Sequence, residues 1–113
     1  MNRKLYPKNW KEISEKVKEK AGYKCELCGH KHEVKGWHIL TTAHIIPLTM
    51  LCEEWNLIAA CQRCHIGRVE KISQKLKFLV AMFNEPDFMI TNAELKAYAT
   101  VEKKYLLKKT PWR

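Results

Sequence analysis

Two pairs of cysteines constrain this chain more than any other feature. Cys25 with Cys28, and Cys61 with Cys64, each form a Cys-x-x-Cys pair, and Cys52 is the fifth cysteine. Each pair presents two thiolates from one tight turn, so that two pairs complete the tetrahedral shell of a structural Zn²⁺. Such pairs can also be redox motifs, but a βαβ context typical of those does not accompany them here. We therefore predict one zinc site that joins the two pairs.

The segment between the two cysteine pairs is 32 residues long, which exceeds the spacing of about 15–20 residues in a simple zinc ribbon. Its run of β-branched and aromatic residues over 37–46 predicts a strand that ends at Pro47. Alternation within that strand places His44 on the same side as Leu40 and opposite Ala43. A loop over 48–55 and a short apolar run from Asn56 then predict a second strand, which completes a hairpin.

Apolar residues at helical spacing predict helices on both sides of this hairpin. The expected segments are residues 10–21, a stretch from His65 to about Asn84, and residues 92–107. Asn9 with Glu12, and Thr91 with Glu94, have the spacing of capping boxes. Gly22 suits a left-handed helix stop. Three of the four tryptophans are expected in the core: Trp10, Trp37 and Trp55. Together these features predict an α+β fold in one domain over residues 1–113, with its core over 23–84.

The net charge of +9 is concentrated in the two flanks of the chain. Residues 1–35 and 66–113 each hold ten Lys/Arg against five acidic residues, whereas residues 36–65 hold one against two. Positive flanks around a nearly uncharged centre suit a polyanion that is bound through its backbone; a basic surface without a partner is the alternative. An apolar run of the length that spans a membrane, or that begins a secretion signal, is not found, and we expect a cytoplasmic protein.

The order and spacing of His44, Asn56 and His65, with His65 directly after the second cysteine pair, resemble the HNH endonuclease motif. The likeness is strongest to the small phage and prophage type, in which zinc knuckles supply four cysteines. The entry segment from Tyr6 to Cys25 is similar as well, so that the resemblance covers residues 6 to about 67. It implies a ββα-metal (HNH) core with one helix before it and two helical segments after it.

The resemblance also implies a reaction, the hydrolysis of DNA phosphodiester bonds by nicking or cutting. His44 would be the general base that activates water, and His65 would bind a catalytic divalent ion, Mg²⁺ or Mn²⁺. Asn56 would tie the hairpin loop and orient His44. The zinc on the four cysteines would be structural, and DNA would be held mainly through its phosphate backbone. A phage packaging or restriction partner is a further expectation.

The chain departs from the family pattern at Ala43, where many members carry a histidine or aspartate that also binds the metal. His65 then needs a second ligand, and the nearest candidates in sequence are His38, Glu53 and Glu54. Two other functions therefore stay open. One is a zinc-knuckle DNA-binding module with weakened or lost catalysis, and the other is an interaction protein that uses its basic helices.

Overall fold

The computed structural model describes residues 6–83, 85, 87 and 90–108. These residues form an N-terminal helix, a two-stranded antiparallel sheet and a series of C-terminal helices. The elements in chain order are α1 (Trp10–Lys20), β1 (Leu40–His44), a 3₁₀ turn (Glu54–Asn56), β2 (Leu57–Cys61), α2 (Gln62–Cys64), a π-helical turn (His65–Val69, the π turn), α3 (Glu70–Lys75), α4 (Lys77–Phe83) and α5 (Asn92–Lys108). The α+β prediction is confirmed at this level.

Helix α1 agrees with its prediction except at its start. Its C-terminus is closed by Gly22, whose φ of +66° gives the left-handed stop expected from the sequence. The side chain of Asn9, however, caps no amide within the described part of α1, so the predicted capping box is wrong. Asn9 has φ −96° and ψ 25° rather than the extended backbone of a capping residue. The helix begins instead with a turn in which the Trp10 amide donates to the Pro7 carbonyl.

Strands β1 and β2 form the predicted hairpin, with Leu40 paired to Cys61 at one end and His44 paired to Leu57 at the other. The first strand is shorter than the predicted 37–46. The carbonyl groups of Trp37 and Ile39 accept hydrogen bonds from the amides that begin α2, and so the chain before Leu40 is used to anchor that helix rather than to extend the sheet.

The burial of β1 does not follow the predicted alternation, because both of its faces are covered. Leu40 and Ala43 are both buried, while His44 is only half-buried. Helix α1 packs on the hairpin, and the Ser14 hydroxyl donates to the Thr42 hydroxyl at 2.9 Å. The π turn packs against β1 as well. The strand therefore does not have one buried face and one solvent-exposed face.

The predicted continuous helix from His65 to about Asn84 is divided in the structure, and Asn84 itself lies outside the described residues. The π turn interrupts it first. A second break falls at Leu76, whose φ of −91° and ψ of 5° are not helical. Leu76, which lies between α3 and α4, and Leu79 of α4 are both buried, while Ile72 of α3 is partly buried against the same core.

Helix α5 begins at the capping box predicted for Thr91 and Glu94. The Glu94 amide donates to the Thr91 hydroxyl, and the Thr91 amide donates to the Glu94 carboxylate, each at 3.2 Å. The helix returns to the hairpin, where the Lys103 ammonium donates to the Leu57 carbonyl at 3.0 Å. None of the helices in the described ranges combines the length and apolarity needed to cross a lipid bilayer.

Candidate functional site

The four paired cysteines form a compact group, which we call the cysteine cluster: Cys25, Cys28, Cys61 and Cys64. Their Sγ atoms all lie within 4.8 Å of one another, and those of Cys28 and Cys61 are 3.8 Å apart. For a tetrahedral Zn²⁺ with Zn–S bonds of about 2.3 Å, neighbouring sulfur atoms are about 3.8 Å apart. The cluster therefore fits a structural zinc ion, and the predicted joining of the two pairs is confirmed.

The first cysteine pair is fixed to the hairpin by Glu26, a residue that the sequence analysis did not single out. Its amide donates to the Ala59 carbonyl at 2.9 Å, and its carboxylate accepts a bond from the Ala59 amide at 2.7 Å. Ala59 is the middle residue of β2. This exchange holds the turn that carries Cys25 and Cys28 against the strand that ends in Cys61, so the four sulfur atoms converge.

His44 ends β1, and its ring is enclosed by aromatic and sulfur groups. The indole of Trp10 stacks on it at a centroid distance of 5.1 Å, and the ring of Tyr6 lies at 5.8 Å. Its Nε2 atom is 3.6 Å from the Cys52 sulfur, whose thiol also donates to the Thr49 carbonyl at 3.2 Å. Trp10, predicted to belong to the core, is half-buried and covers this histidine instead.

Burial lowers the pKa of His44 to about 4, because the protonated imidazole loses solvation. A hydrogen bond with the backbone of Thr49 acts in the opposite direction, and the nearby charge of His65 lowers the pKa further. The imidazole is therefore neutral at pH 7. A neutral imidazole can accept a proton, which is the protonation state that a general base requires.

Asn56 is completely buried and all of its side-chain bonds go to the segment that follows His44. Its Oδ1 accepts a bond from the Ile46 amide at 2.7 Å, and its Nδ2 donates to the carbonyls of Ile46 and Leu51 at 3.2 and 2.9 Å. The Ser73 hydroxyl adds bonds to the carbonyls of His44 and Ile45. The backbone on both sides of residue 45 is thereby held in one conformation.

His65 begins the π turn, directly after the last residue of the cysteine cluster. Its Nδ1 lies 3.4 Å from the Thr41 hydroxyl oxygen, and that hydroxyl donates its own proton to the Ala60 carbonyl at 2.8 Å. The Thr41 oxygen can then only accept from Nδ1, which makes Nε2 the nitrogen with a free lone pair. Burial lowers the pKa of His65, whereas the carboxylate of Glu70 raises it.

A groove of about 580 Å³ runs beside His65. It is lined by Tyr6, Trp10, Ser14, Lys18, Leu40, Thr41, Thr42, Gln62, His65, Ile66 and Glu70. Lys18 contributes a positive charge to this lining. His44 is not among the lining side chains that the structure describes. It lies behind Trp10 and Tyr6, and close enough to His65 for the charge of one imidazole to affect the other.

The three candidates for a second metal ligand are not brought to the groove among the described residues. His38 stacks on His30 at 3.6 Å, and Glu54 forms an ion pair with Lys20 at 2.7 Å. Glu53 lies near Cys52. Burial is the main cause that raises the pKa of the Cys52 thiol, and the negative charge of Glu53 raises it further. Glu70 does line the groove, although no motif in the sequence indicated it.

Trp37 was also predicted to be buried, and that prediction is wrong. It is 63% exposed, although its carbonyl accepts a hydrogen bond from the Arg63 amide at the start of α2. Trp55, in contrast, packs against the core as expected.

Apart from the cysteine cluster, no group of three or more His, Cys, Asp or Glu side chains converges within the described ranges. The groove offers two such residues, His65 and Glu70. The other groups that could contact a ligand there are the neutral polar side chains and Lys18. No protein-family model, curated protein or solved structure matches the chain.

Proposed function

We propose that the chain is a metal-dependent endonuclease of the HNH type that hydrolyses DNA phosphodiester bonds. One observation carries the proposal. His44, at the end of β1, stacks on the indole of Trp10 at a centroid distance of 5.1 Å, and Trp10 lines the groove together with His65, at the start of the π turn. The cysteine cluster, the buried Asn56 and the hairpin hold these two imidazoles in place.

The two histidines have different protonation chemistry, which suits different roles. His44 is neutral at pH 7 and can take a proton from a water molecule as that water attacks phosphorus. His65 has Nε2 available as a ligand atom, while Nδ1 faces Thr41. A divalent ion bound there would supply charge neutralisation for a phosphate oxygen and for the leaving oxygen. Zinc in the cysteine cluster would contribute folding energy only.

Nucleic-acid binding in this proposal depends on positive charge around the groove. Lys18 is half-buried in the groove wall, and the chain as a whole has a net charge of +9. Lysines that neutralise phosphates release counterions, which makes affinity fall steeply as salt concentration increases. Binding should therefore weaken by about tenfold to a thousandfold between low and moderate salt.

The test is the nicking of supercoiled plasmid in the presence of Mg²⁺, Mn²⁺ or EDTA. Wild-type protein should nick with a divalent ion, and His44→Ala should lower the rate by about a hundredfold or more, since general-base catalysis contributes about 10²–10⁴. His30→Gln is the matched control, because His30 is an exposed histidine outside the groove. Zinc content and plasmid retardation should be the same in all three proteins.

Two results would refute the nuclease proposal. One is the absence of nicking with either ion by a folded, zinc-loaded protein. The other is nicking by His44→Ala at the wild-type rate.

A second candidate is a DNA-binding module of the same fold that does not cleave. It is favoured by the position of His44, which is enclosed by Trp10, Tyr6 and Cys52, and by Ala43, which is buried and offers no ligand atom. Salt-dependent plasmid retardation without nicking, unchanged by His44→Ala, would identify this function. An interaction protein would instead show little affinity for DNA.

A further inference from the structure

The π turn places the side chains of Glu70 and His65 on the same groove. The Glu70 amide donates to the His65 carbonyl, a bond between residues five apart that defines π-helical geometry. In a regular α-helix, residues five apart point about 140° away from each other, because successive residues rotate by about 100°. The wider π turn removes most of that divergence. As a result, His65 and Glu70 both line the groove.

We propose that Glu70 is the second protein ligand of the divalent ion, together with Nε2 of His65. This inference rests on the proposed nuclease function. It assigns to Glu70 the role of metal ligand that Ala43 cannot have, because the side chain of Ala43 has no ligand atom. The π turn is then a functional feature rather than an irregularity, in line with the frequent occurrence of such turns at functional sites.

The donor set suits the proposed ions. A carboxylate oxygen and an imidazole nitrogen are ligands for Mn²⁺, and Mg²⁺ is commonly held by one or two carboxylates with several waters and substrate phosphates. Two protein ligands leave the remaining positions for water and a phosphate oxygen, which an open site requires. Thr41 contributes indirectly, because its contact with Nδ1 orients the imidazole with Nε2 free.

The local charges support the same assignment. The two ion pairs found among the described residues, Lys20 with Glu54 and Lys75 with Glu102, do not include Glu70. Its carboxylate is exposed at the groove and is not neutralised in either of those pairs.

The experiment is a Mn²⁺ titration of the zinc-loaded protein without DNA, followed by the electron paramagnetic resonance signal of the free ion. Wild-type protein should bind one Mn²⁺ in addition to its zinc. Glu70→Gln keeps the size of the side chain and removes its charge, and it should weaken Mn²⁺ binding by at least about tenfold. Glu33→Gln is the matched control, since Glu33 is an exposed glutamate in the loop before β1, and it should bind as the wild type does. Circular dichroism and zinc content establish that each variant is folded.

Glu53→Gln tests the rival ligand in the same titration. The proposal is overturned if Glu70→Gln binds Mn²⁺ as tightly as wild type, if Glu53→Gln is the variant that loses affinity, or if wild-type protein has no Mn²⁺ site. Plasmid nicking separates this proposal from the function on which it rests. Loss of Mn²⁺ affinity in Glu70→Gln without nicking by wild type supports the ligand and refutes the nuclease. Nicking by wild type with unchanged Mn²⁺ affinity in Glu70→Gln does the reverse.

Discussion

The cysteine cluster and the groove arrange their potential ligand side chains in opposite ways. The cluster gathers four sulfur atoms within 4.8 Å, and three of its four cysteines are buried. The groove, which has a volume of about 580 Å³ and is open to solvent, has two candidate ligands, His65 and Glu70. A complete, buried ligand set makes a structural site, whereas an incomplete set leaves positions for water and substrate. The difference teaches that a closed cluster and an open groove can draw on adjacent residues, here Cys64 and His65.

The connection between the two regions is a single peptide bond. Cys64 is the last residue of α2, and His65 is the first residue of the π turn. Whatever fixes the Cys64 sulfur therefore also fixes the start of the helical segment that carries His65 and Glu70. Loss of zinc should disturb the groove, but changes in the groove should leave zinc binding intact.

Removal of the zinc is expected to have the largest effect. Cys61→Ser should lose zinc and most of the folded structure, because metal-binding free energy in small zinc domains is about 10 kcal/mol or more and is coupled to folding. Cys52→Ala, which alters the cysteine outside the cluster, should retain one zinc per chain. Zinc analysis and circular dichroism measure both outcomes. A folded Cys61→Ser protein would show that the core, and not the cluster, holds the hairpin together.

Asn56→Ala should have the next largest effect, about 3 kcal/mol of unfolding free energy. The substitution removes three hydrogen bonds and leaves the Ile46 amide and the Leu51 carbonyl without their Asn56 partner. Chemical denaturation of zinc-loaded protein measures the change. Gln74→Ala, at an exposed position of α3, is the control and should change stability little. A loss below about 0.5 kcal/mol for Asn56→Ala would mean that the loop can rearrange without its central amide.

His44 should make the protein less stable as the pH falls. Its pKa is about 4 in the folded protein and about 6.5 in an unfolded chain. The unfolded state therefore binds a proton at a higher pH, and stability is lost progressively as the pH falls from 6.5 toward 4. Between pH 7.5 and pH 5.5 this contribution is about 1 kcal/mol. Wild type should lose that much more stability than His44→Gln over this interval, in zinc-saturated denaturation experiments. An equal loss in the two proteins would indicate that solvent reaches the His44 ring.

Glu54→Gln should have the smallest effect. Its ion pair with Lys20 is formed by two side chains that are each more than two-thirds exposed, and such pairs contribute little because water screens them. The denaturation midpoint and the Mn²⁺ affinity should both match wild type. A clear loss of Mn²⁺ affinity would return Glu54 to the list of candidate ligands and would place the metal site away from the groove.

Local patterns in the sequence were sufficient for much of the fold. The spacing of the cysteine pairs predicted the cluster, and the β-prone and apolar runs predicted the hairpin. Thr91 with Glu94 predicted the start of α5, and Gly22 predicted the end of α1. Each of these features depends on residues close to one another in the chain, or on the tetrahedral geometry of zinc, which requires four ligand atoms to converge. His44, Asn56 and His65 were also singled out, because their order and spacing next to the second cysteine pair resemble the HNH motif.

The tertiary structure decided the features that depend on contacts between distant segments. Asn9 does not cap α1, because the backbone turn from Pro7 begins that helix. The side chain of Trp37 is exposed, while its carbonyl accepts a hydrogen bond from the start of α2. Glu70 reaches the groove only through the π turn, and a sequence read with a regular helical period directs that side chain elsewhere. Sequence thus determined which residues could carry the chemistry, while packing around the hairpin decided which of them share one surface.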